Sequence, residues 1–520
     1  MTIQLLSGGL AGVDAFPVEV EVDYSRQGLP GFNLVGLPEA EVRESRDRVT
    51  AAIRASGFRL PPARVTVNLA PAGKRKTGAG YDLPLALALL AAAGIIDASK
   101  LAGIFFAAEL SLGGSLKPVA GILPLALLAR EKHAPALVVA PGNAGEAAMV
   151  PGLSVYAPES LMGCVQFLMG SIKLDPVPPT VISDNELANV MPAADFAEVK
   201  GQQTAKRALE IAAAGNHNVL LIGPPGSGKT MLAQRLPGIL PPLTFEESLD
   251  VTRIYSVAGL LPPENGIMRE RPFRAPHHTI SSAAMAGGGH SPKPGEVSLS
   301  HRGVLFLDEL PEYGKSSLEA LRQPLEDGVV TISRAAGSVR YPASCMLIAA
   351  MNPCPCGYLG DSAHQCTCSQ EQIGKYRHKL SGPLLDRIDL HVEAPAVSYE
   401  ELRNNSSPES DYWSTRKMRE RVLTARKIQT ERYRDLPFNS NSDLSGTWLE
   451  KFCALNESCH SLMQGAMSRL ALSARAYTRI LRVARTIADL GQENEIRENH
   501  LAEAIGLRLL DRPLTDQNWG

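Results

Sequence analysis

"NVLLIGPPGSGKTMLAQRL" occupies residues 218–236. An apolar run, VLLI, leads into Gly223-Pro224-Pro225-Gly226-Ser227-Gly228-Lys229-Thr230, and a helical run follows. The eight residues fit G-x-x-x-x-G-K-[ST] in its required strand–loop–helix setting. Glycines let backbone N–H groups turn inward around phosphate oxygens, at the positive end of the following helix. In this pattern Lys229 reaches the β/γ-phosphates of ATP and the Thr230 hydroxyl coordinates Mg²⁺. The alternative, a chance glycine-rich turn, leaves the fixed positions and their context unexplained.

Working outward, "GVLFLDEL" (303–310) reads as a buried strand with Asp308 and Glu309 at its carboxyl end. Ligands bind beyond that end in open α/β sheets. Asp308 is expected to hold Mg²⁺ and Glu309 to activate the attacking water. "MLIAAMNP" (346–353) is a further buried strand, and Asn352 at its end has an amide suited to orienting that water. "SGPLLDRIDL" (381–390) places Arg387 just beyond a short helical stretch. Two readings are open there: an arginine finger acting on a neighbouring subunit's nucleotide, or a surface ion pair with Asp386 or Asp389.

This order of motifs resembles an AAA+ ATPase of the Mg-chelatase-like branch. "RPFRAPHHTISSAAMAGGG" (271–289) resembles that branch's helix-2 insert. "GVVTISRAAGSVRYPA" (328–343) reads as two β runs around AAGS and is similar to the pre-sensor-1 hairpin, with Arg334 at a DNA-contacting position. "LSARAYTRILRVARTIADL" (472–490) resembles the sensor-2 helix of a C-terminal lid, with Arg475 as the sensor arginine. Together with "AAMNPCPCG" and "SGPLLDRIDLH", these segments resemble the YifB/ComM family. The resemblance implies a homo-oligomeric ring of about six subunits. It also implies ATP-driven helicase action on single-stranded or branched DNA, with branch migration during natural transformation. The alternatives are a protein remodeller or Lon-like protease, and a motor subunit for Mg insertion into porphyrins.

The expected class is multidomain α/β. Residues 1–170 resemble a ribosomal-S5/Lon-protease-like α+β domain, with strands at 18–22, 65–69 and 137–140 and helices at 83–93 and 122–130. A Pro-rich linker (171–197) precedes a P-loop AAA+ core (198–395), and an Ala-rich helix from about Phe196 leads into it. A helical lid (396–520) completes the chain. Laid over the Lon pattern, the nucleophile falls on Asp82 and the lysine near Leu123. Neither residue supplies the hydroxyl or base that nucleophilic catalysis needs. The loop "AGKRKTG" (72–78) is either solvated or a phosphate-backbone contact.

"MNPCPCGYLGDSAHQCTCSQ" (351–370) holds four of the eight cysteines, as Cys354-x-Cys356 and Cys366-x-Cys368. Four thiolates interrupted by Pro355, Gly357 and Gly360 can close a tetrahedral site, giving a structural Zn²⁺ in the insert 354–368. His364 is an alternative ligand, and four free thiols are the alternative state. A charged content of 20% and a net charge of −2 describe a globular chain without a global nucleic-acid signature. DNA contacts must then come from local basic groups repeated by assembly. The longest apolar run, 83–96, has 14 residues, against about 20 needed to span a bilayer. The start of the chain lacks a basic signal-peptide n-region. A cytoplasmic protein is expected, where clustered cysteines favour metal or redox chemistry.

Overall fold

Three unbroken apolar runs form the middle of a parallel sheet. Val219–Ile222, Val304–Leu307 and Met346–Met351 are buried at every residue. That is the pattern of strands covered on both faces. The computed structural model describes residues 2–510, apart from 181–182, 184–185, 188–193, 263–265, 290–291, 335–336, 362–363, 404–410, 471 and 509. In it, these runs lie between an edge strand at Phe273–Arg274 and another at Leu390–Glu393, in the order 273–304–346–219–390 by first residue. All the pairings are parallel. The loops after Ile222, Leu307 and Met351 therefore open at the same end of the sheet.

Side chains of one strand alternate between two cores. Val219 and Leu221 join a cluster with the Ala-rich helix Gln203–Gly215 and the helices Thr415–Arg432 and Ala474–Leu490. Leu220 and Ile222 face the other way, onto Phe245–Ala258 and the hairpin Val329–Arg334/Gly337–Pro342. The Ala-rich helix begins at Gln203 rather than near Phe196. Phe196–Glu198 forms a separate 3₁₀ turn capped by Asp195, and left-handed Gly201 (φ 58°) and Gln202 (φ 57°) break the path between them.

Towards the N-terminus lies a seven-stranded sheet. The strands expected at 18–22 and 65–69 appear within Asp14–Ser25 and Arg64–Ala70, and the one expected at 137–140 is shifted by one residue to Ala136–Val139. The helices are Asp82–Ala92 and Ile122–Glu131. This sheet is joined to the first. Val13, in the turn between the first two strands, is buried in the core beneath the 329–342 hairpin. Gly121 N–H donates to Ser256 O (3.0 Å), Ser256 Oγ donates to the buried Glu146 carboxylate, and Arg253 pairs with Asp14. Within the Pro-rich stretch, Val177 N–H donates to Val155 O (2.8 Å), Thr180 N–H donates to Ala148 O (3.0 Å), and Leu187 is buried. The described part of that stretch thus lies along the protein surface.

Candidate functional site

The loop Gly223–Thr230 closes over the end of strand Val219–Ile222. Gly226 (φ 75°) and Gly228 (φ 87°) take the left-handed turn that the loop requires. A Cβ at Gly223 would lie 1.9 Å from Ala394 O, so only glycine fits there. Behind the loop, Gln202 Nε2 donates to Ser227 O (2.9 Å). Lys229 Nζ donates to the carbonyls of Gly223 and Pro224, each at 2.8 Å, and to Asn352 Oδ1 at 3.4 Å. Burial lowers the Lys229 ammonium to about 8, and the Asp308 and Glu309 carboxylates oppose that shift.

Thr230 Oγ1 donates to Asp308 Oδ2 at 2.7 Å. The helix Lys229–Arg235 and the end of strand Val304–Leu307 thus place a hydroxyl and a carboxylate side by side, the hard oxygen donors that Mg²⁺ takes. Glu309 stands in the left-handed region (φ 52°), with its N–H donating to Asp308 Oδ1 (2.9 Å) and its carboxylate exposed. A left-handed glutamate is uncommon and marks a sharp exit from the strand.

One neighbour of Glu309 escaped the sequence reading. His278 Nδ1 lies 3.5 Å from Glu309 Oε2. Its segment is held by two hydrogen bonds, Tyr313 Oη to Pro276 O (2.5 Å) and Ser317 Oγ to Ile280 O (2.8 Å), and His277 stacks on His278 at 4.0 Å. The HH pair inside 271–289 was the available signal.

Arg387 and Arg475 are elsewhere. Arg387 precedes strand Leu390–Glu393, and the residues leading into the other strands gather around it. Together they line a cavity of about 870 Å³ at the amino ends of the sheet, with Arg302, Glu326, Arg387, Arg475, Arg479 and Arg482 in its wall. Arg387 pairs with Glu326 and donates to Pro383 O (2.7 Å). Its expected partners are already taken. Asp386 holds Arg475 (2.6 Å), and the buried Asp389 holds Arg479 (2.5 Å). The ion-pair alternative therefore holds for Arg387, but with a different carboxylate. Arg475 is exposed and shares this cavity instead of facing Lys229 of its own chain.

The four cysteines converge. Cys354 Sγ is 3.4 Å from Cys356 Sγ and 3.7 Å from Cys366 Sγ, and Cys356 Sγ is 3.6 Å from Cys366 Sγ. With Cys368 the ligand atoms all lie within 4.8 Å, the one such grouping of His, Cys, Asp or Glu among the described residues. His364 is not part of it: it is exposed, 3.6 Å from Asp361 and stacked on Tyr358. Against the effect of burial, the N–H groups of Tyr358 and Thr367 lower the Cys356 thiol below its ordinary range.

Arg334 ends the first hairpin strand opposite Gly337. Its side chain and the turn at 335–336 lie outside the described residues. Asp82 is fully buried and accepts from Arg48 Nε (2.8 Å) and Nη2 (3.1 Å) and from Leu110 N–H (3.2 Å). Leu123 is buried, its N–H bound to Glu146. The 72–78 loop is less open than its sequence implied. Lys76 is buried and donates to Pro71 O, Arg75 pairs with Glu39 (3.2 Å), and Lys74 lies over the Phe16 ring (4.5 Å). Among the described residues no helix is long and apolar enough to cross a membrane.

Comparison with known proteins agrees with this layout. The chain matches the family models described as Magnesium chelatase, subunit ChlI (195–402), Subunit ChlI of Mg-chelatase (20–143) and Magnesium chelatase, subunit ChlI C-terminal (413–508). It is 46% identical over 509 residues to Competence protein ComM of Haemophilus influenzae, covering 97% of this chain and 96% of that protein. The chain belongs to the ComM/YifB family of Mg-chelatase-like proteins. YifB of Escherichia coli is 43% identical over 503 residues, with 97% and 96% coverage. A magnesium-chelatase 67 kDa subunit of Chlorobaculum parvum is 24% identical over 321 residues, covering 61% of this chain and 43% of that subunit. The ComM/YifB match therefore embraces the N-terminal sheet, the P-loop sheet and the C-terminal helices together.

Proposed function

We propose that this protein is an ATP-hydrolysing AAA+ motor that works as a ring on branched DNA. The observation that carries the reading is the division of its chemistry between the two ends of one sheet. At the carboxyl ends stand the phosphate loop, the Thr230–Asp308 pair, Glu309 and Asn352. At the amino ends stands an arginine-lined cavity with no phosphate loop of its own. A ring that stacks the arginine end of one subunit on the nucleotide end of the next completes both sites, as head-to-tail contacts do when they close.

In this reading backbone N–H groups of Gly223–Thr230 cradle the ATP phosphates, and Lys229 turns from its loop carbonyls to the β/γ-phosphates. Thr230 and Asp308 would hold Mg²⁺, which when bound neutralises charge on the transferred phosphoryl group. Glu309 accepts the proton of the attacking water, and Asn352 orients that water. Arg387 and Arg475 reach the neighbour's nucleotide, where an arginine stabilises the charge that develops in phosphoryl transfer.

The domain plan follows the same reading. Residues 1–170 form a Lon-like, S5-type domain whose nucleophile position is a salt-bridged Asp82, without proteolytic chemistry. Residues 171–197 are the linker, 198–395 the AAA+ core with its helix-2 insert and pre-sensor-1 hairpin, and 396–520 the lid. Arg334 at the hairpin tip would form a collar of positive charge in a ring of about six. The four cysteines would hold a structural Zn²⁺: arms of about 2.3 Å at tetrahedral angles set sulfurs about 3.8 Å apart, close to the observed spacings. A cytoplasmic location fits reduced thiols. The name of one relative, Competence protein ComM, supports a role in competence, and in this reading branch migration is the activity. ATP turnover should be measured with no DNA and with single-stranded, duplex and four-way-junction DNA. Stimulation greatest with the junction supports the proposal, and turnover indifferent to all DNA removes the DNA-motor part of it.

A further inference from the structure

The cysteine turn does more than close on itself; it is seated on the phosphate loop. Strand Met346–Met351 ends beside that loop, with Gly223 N–H donating to Met351 O at 3.2 Å. The next residue, Asn352, accepts from Lys229 Nζ at 3.4 Å. Two residues on, Cys354 opens a tight turn in which Gly357 N–H donates to Cys354 O at 3.0 Å. Gly357 is left-handed (φ 86°), and a Cβ added there would stand 2.7 Å from Cδ and 3.0 Å from Cγ of Pro225. Pro225 is the third residue of the phosphate loop. The stretch carrying the first two thiols is therefore bound to the nucleotide site at three points: Gly223, Lys229 and Pro225.

The other two thiols come from the far side of the loop, next to helix Gln370–Arg377. Cys356 N–H donates to Cys368 Sγ at 3.4 Å, and Arg377 donates to Pro353 O at 3.5 Å. Cys354 is fully buried and the other three are half-buried. A closed set of four sulfur donors with no carboxylate has the character of a structural centre and keeps no position open for substrate. Its effect on the protein is to join two strands of one loop. Without a cation, four sulfurs within 4.8 Å of one another, three of them at 3.4–3.7 Å, either take up protons and separate or repel one another as thiolates.

We propose that the centre formed by Cys354, Cys356, Cys366 and Cys368 is a metal-dependent brace for the phosphate loop. A bound Zn²⁺ fixes the turn at Gly357 under Pro225 and Asn352 beside Lys229, so that nucleotide affinity depends on metal occupancy. This rests on the zinc reading given above. Metal binding that orders a loop contributes its free energy to whatever that loop supports.

The test uses the full-length protein. Metal is measured by mass spectrometry, and nucleotide affinity with a fluorescent ATP analogue in constant excess Mg²⁺. Measurements are made before chelation, after chelation and after returning Zn²⁺. One zinc per chain is expected, with affinity falling about tenfold or more on its removal and recovering on its return. Cys354→Ser and Cys366→Ser should lose both metal and affinity. Gly357→Val keeps all four thiols but cannot sit against Pro225. It should hold its zinc, which also shows that the loop has folded, and still bind nucleotide about tenfold more weakly. No bound metal in the wild type overturns the zinc reading. Stoichiometric zinc with nucleotide affinity unchanged by chelation, or unchanged in Gly357→Val, overturns the brace and leaves the zinc standing.

Discussion

An equal mixture of Glu309→Gln and Arg387→Ala subunits should hydrolyse ATP although neither variant does so alone. Arg387 lies before the strand Leu390–Glu393, whose register pairs Leu390 with Val219 and Glu393 with Ile222. The loop bearing Lys229 begins after Ile222. Four residues of strand, about 13 Å at 3.3 Å per residue, separate the two ends before either loop is counted. Arg387 therefore cannot serve the nucleotide held by its own chain. Removing its charge should lower turnover by roughly 10³-fold or more, the range for an arginine finger. The fold should not suffer: Glu326 is largely exposed, and such a pair contributes about 1 kcal/mol or less. In a randomly mixed ring, a site is intact when an Arg387→Ala subunit supplies the Glu309 side and a Glu309→Gln neighbour supplies the arginine. At equal amounts that is about one site in four, so turnover near a quarter of wild type is expected, and less where sites fire in concert. Phosphate release is the assay, with subunit exchange confirmed by fluorescence transfer between labelled chains. A mixture that exchanges fully yet stays as inactive as its components would refute the trans arrangement.

Lys229→Ala should abolish nucleotide binding by equilibrium titration, whereas Glu309→Gln should bind ATP normally and release no phosphate; near-normal turnover in Glu309→Gln would remove its role as base. His278→Ala should lower kcat about tenfold with KM unchanged, because the imidazole stands beside the Glu309 carboxylate; a kcat equal to that of wild type would show that its role lies elsewhere. Asp82→Ala leaves the Arg48 guanidinium without its buried partner and should cost about 2–4 kcal/mol, a lower melting temperature with ATP turnover per folded molecule unchanged. Arg334→Glu should weaken DNA binding and flatten its dependence on salt without altering basal hydrolysis; an unchanged slope would argue against a pore contact.

The strands of the P-loop sheet were legible because burial on both faces leaves unbroken apolar runs, and VLLI, VLFL and MLIAAM each became one. That Gly223–Thr230 and Asp308 meet was legible, because the loop motif and the residue after a buried strand both point to the carboxyl end of one sheet. Partner choice was not. Arg387 was near two aspartates in sequence, but the fold gives those to Arg475 and Arg479 and brings Glu326 from a distant turn. Nor could the sequence show that Arg475 stands at the arginine end, since that depends on where the helix Ala474–Leu490 packs against the sheet. The 72–78 loop read as solvated or as a phosphate contact, and only its packing shows Lys76 buried. The contact of Gly357 with Pro225 joins residues far apart in the chain that no local pattern connects.

The most direct measurement of the central claim is ATP-dependent conversion of a labelled four-way DNA junction to duplex products, followed by gel electrophoresis, with wild type and Glu309→Gln side by side. The account predicts conversion by wild type with ATP and Mg²⁺, and none by Glu309→Gln, although that variant still binds the junction. Wild-type protein that forms rings and hydrolyses ATP yet leaves the junction intact would contradict it.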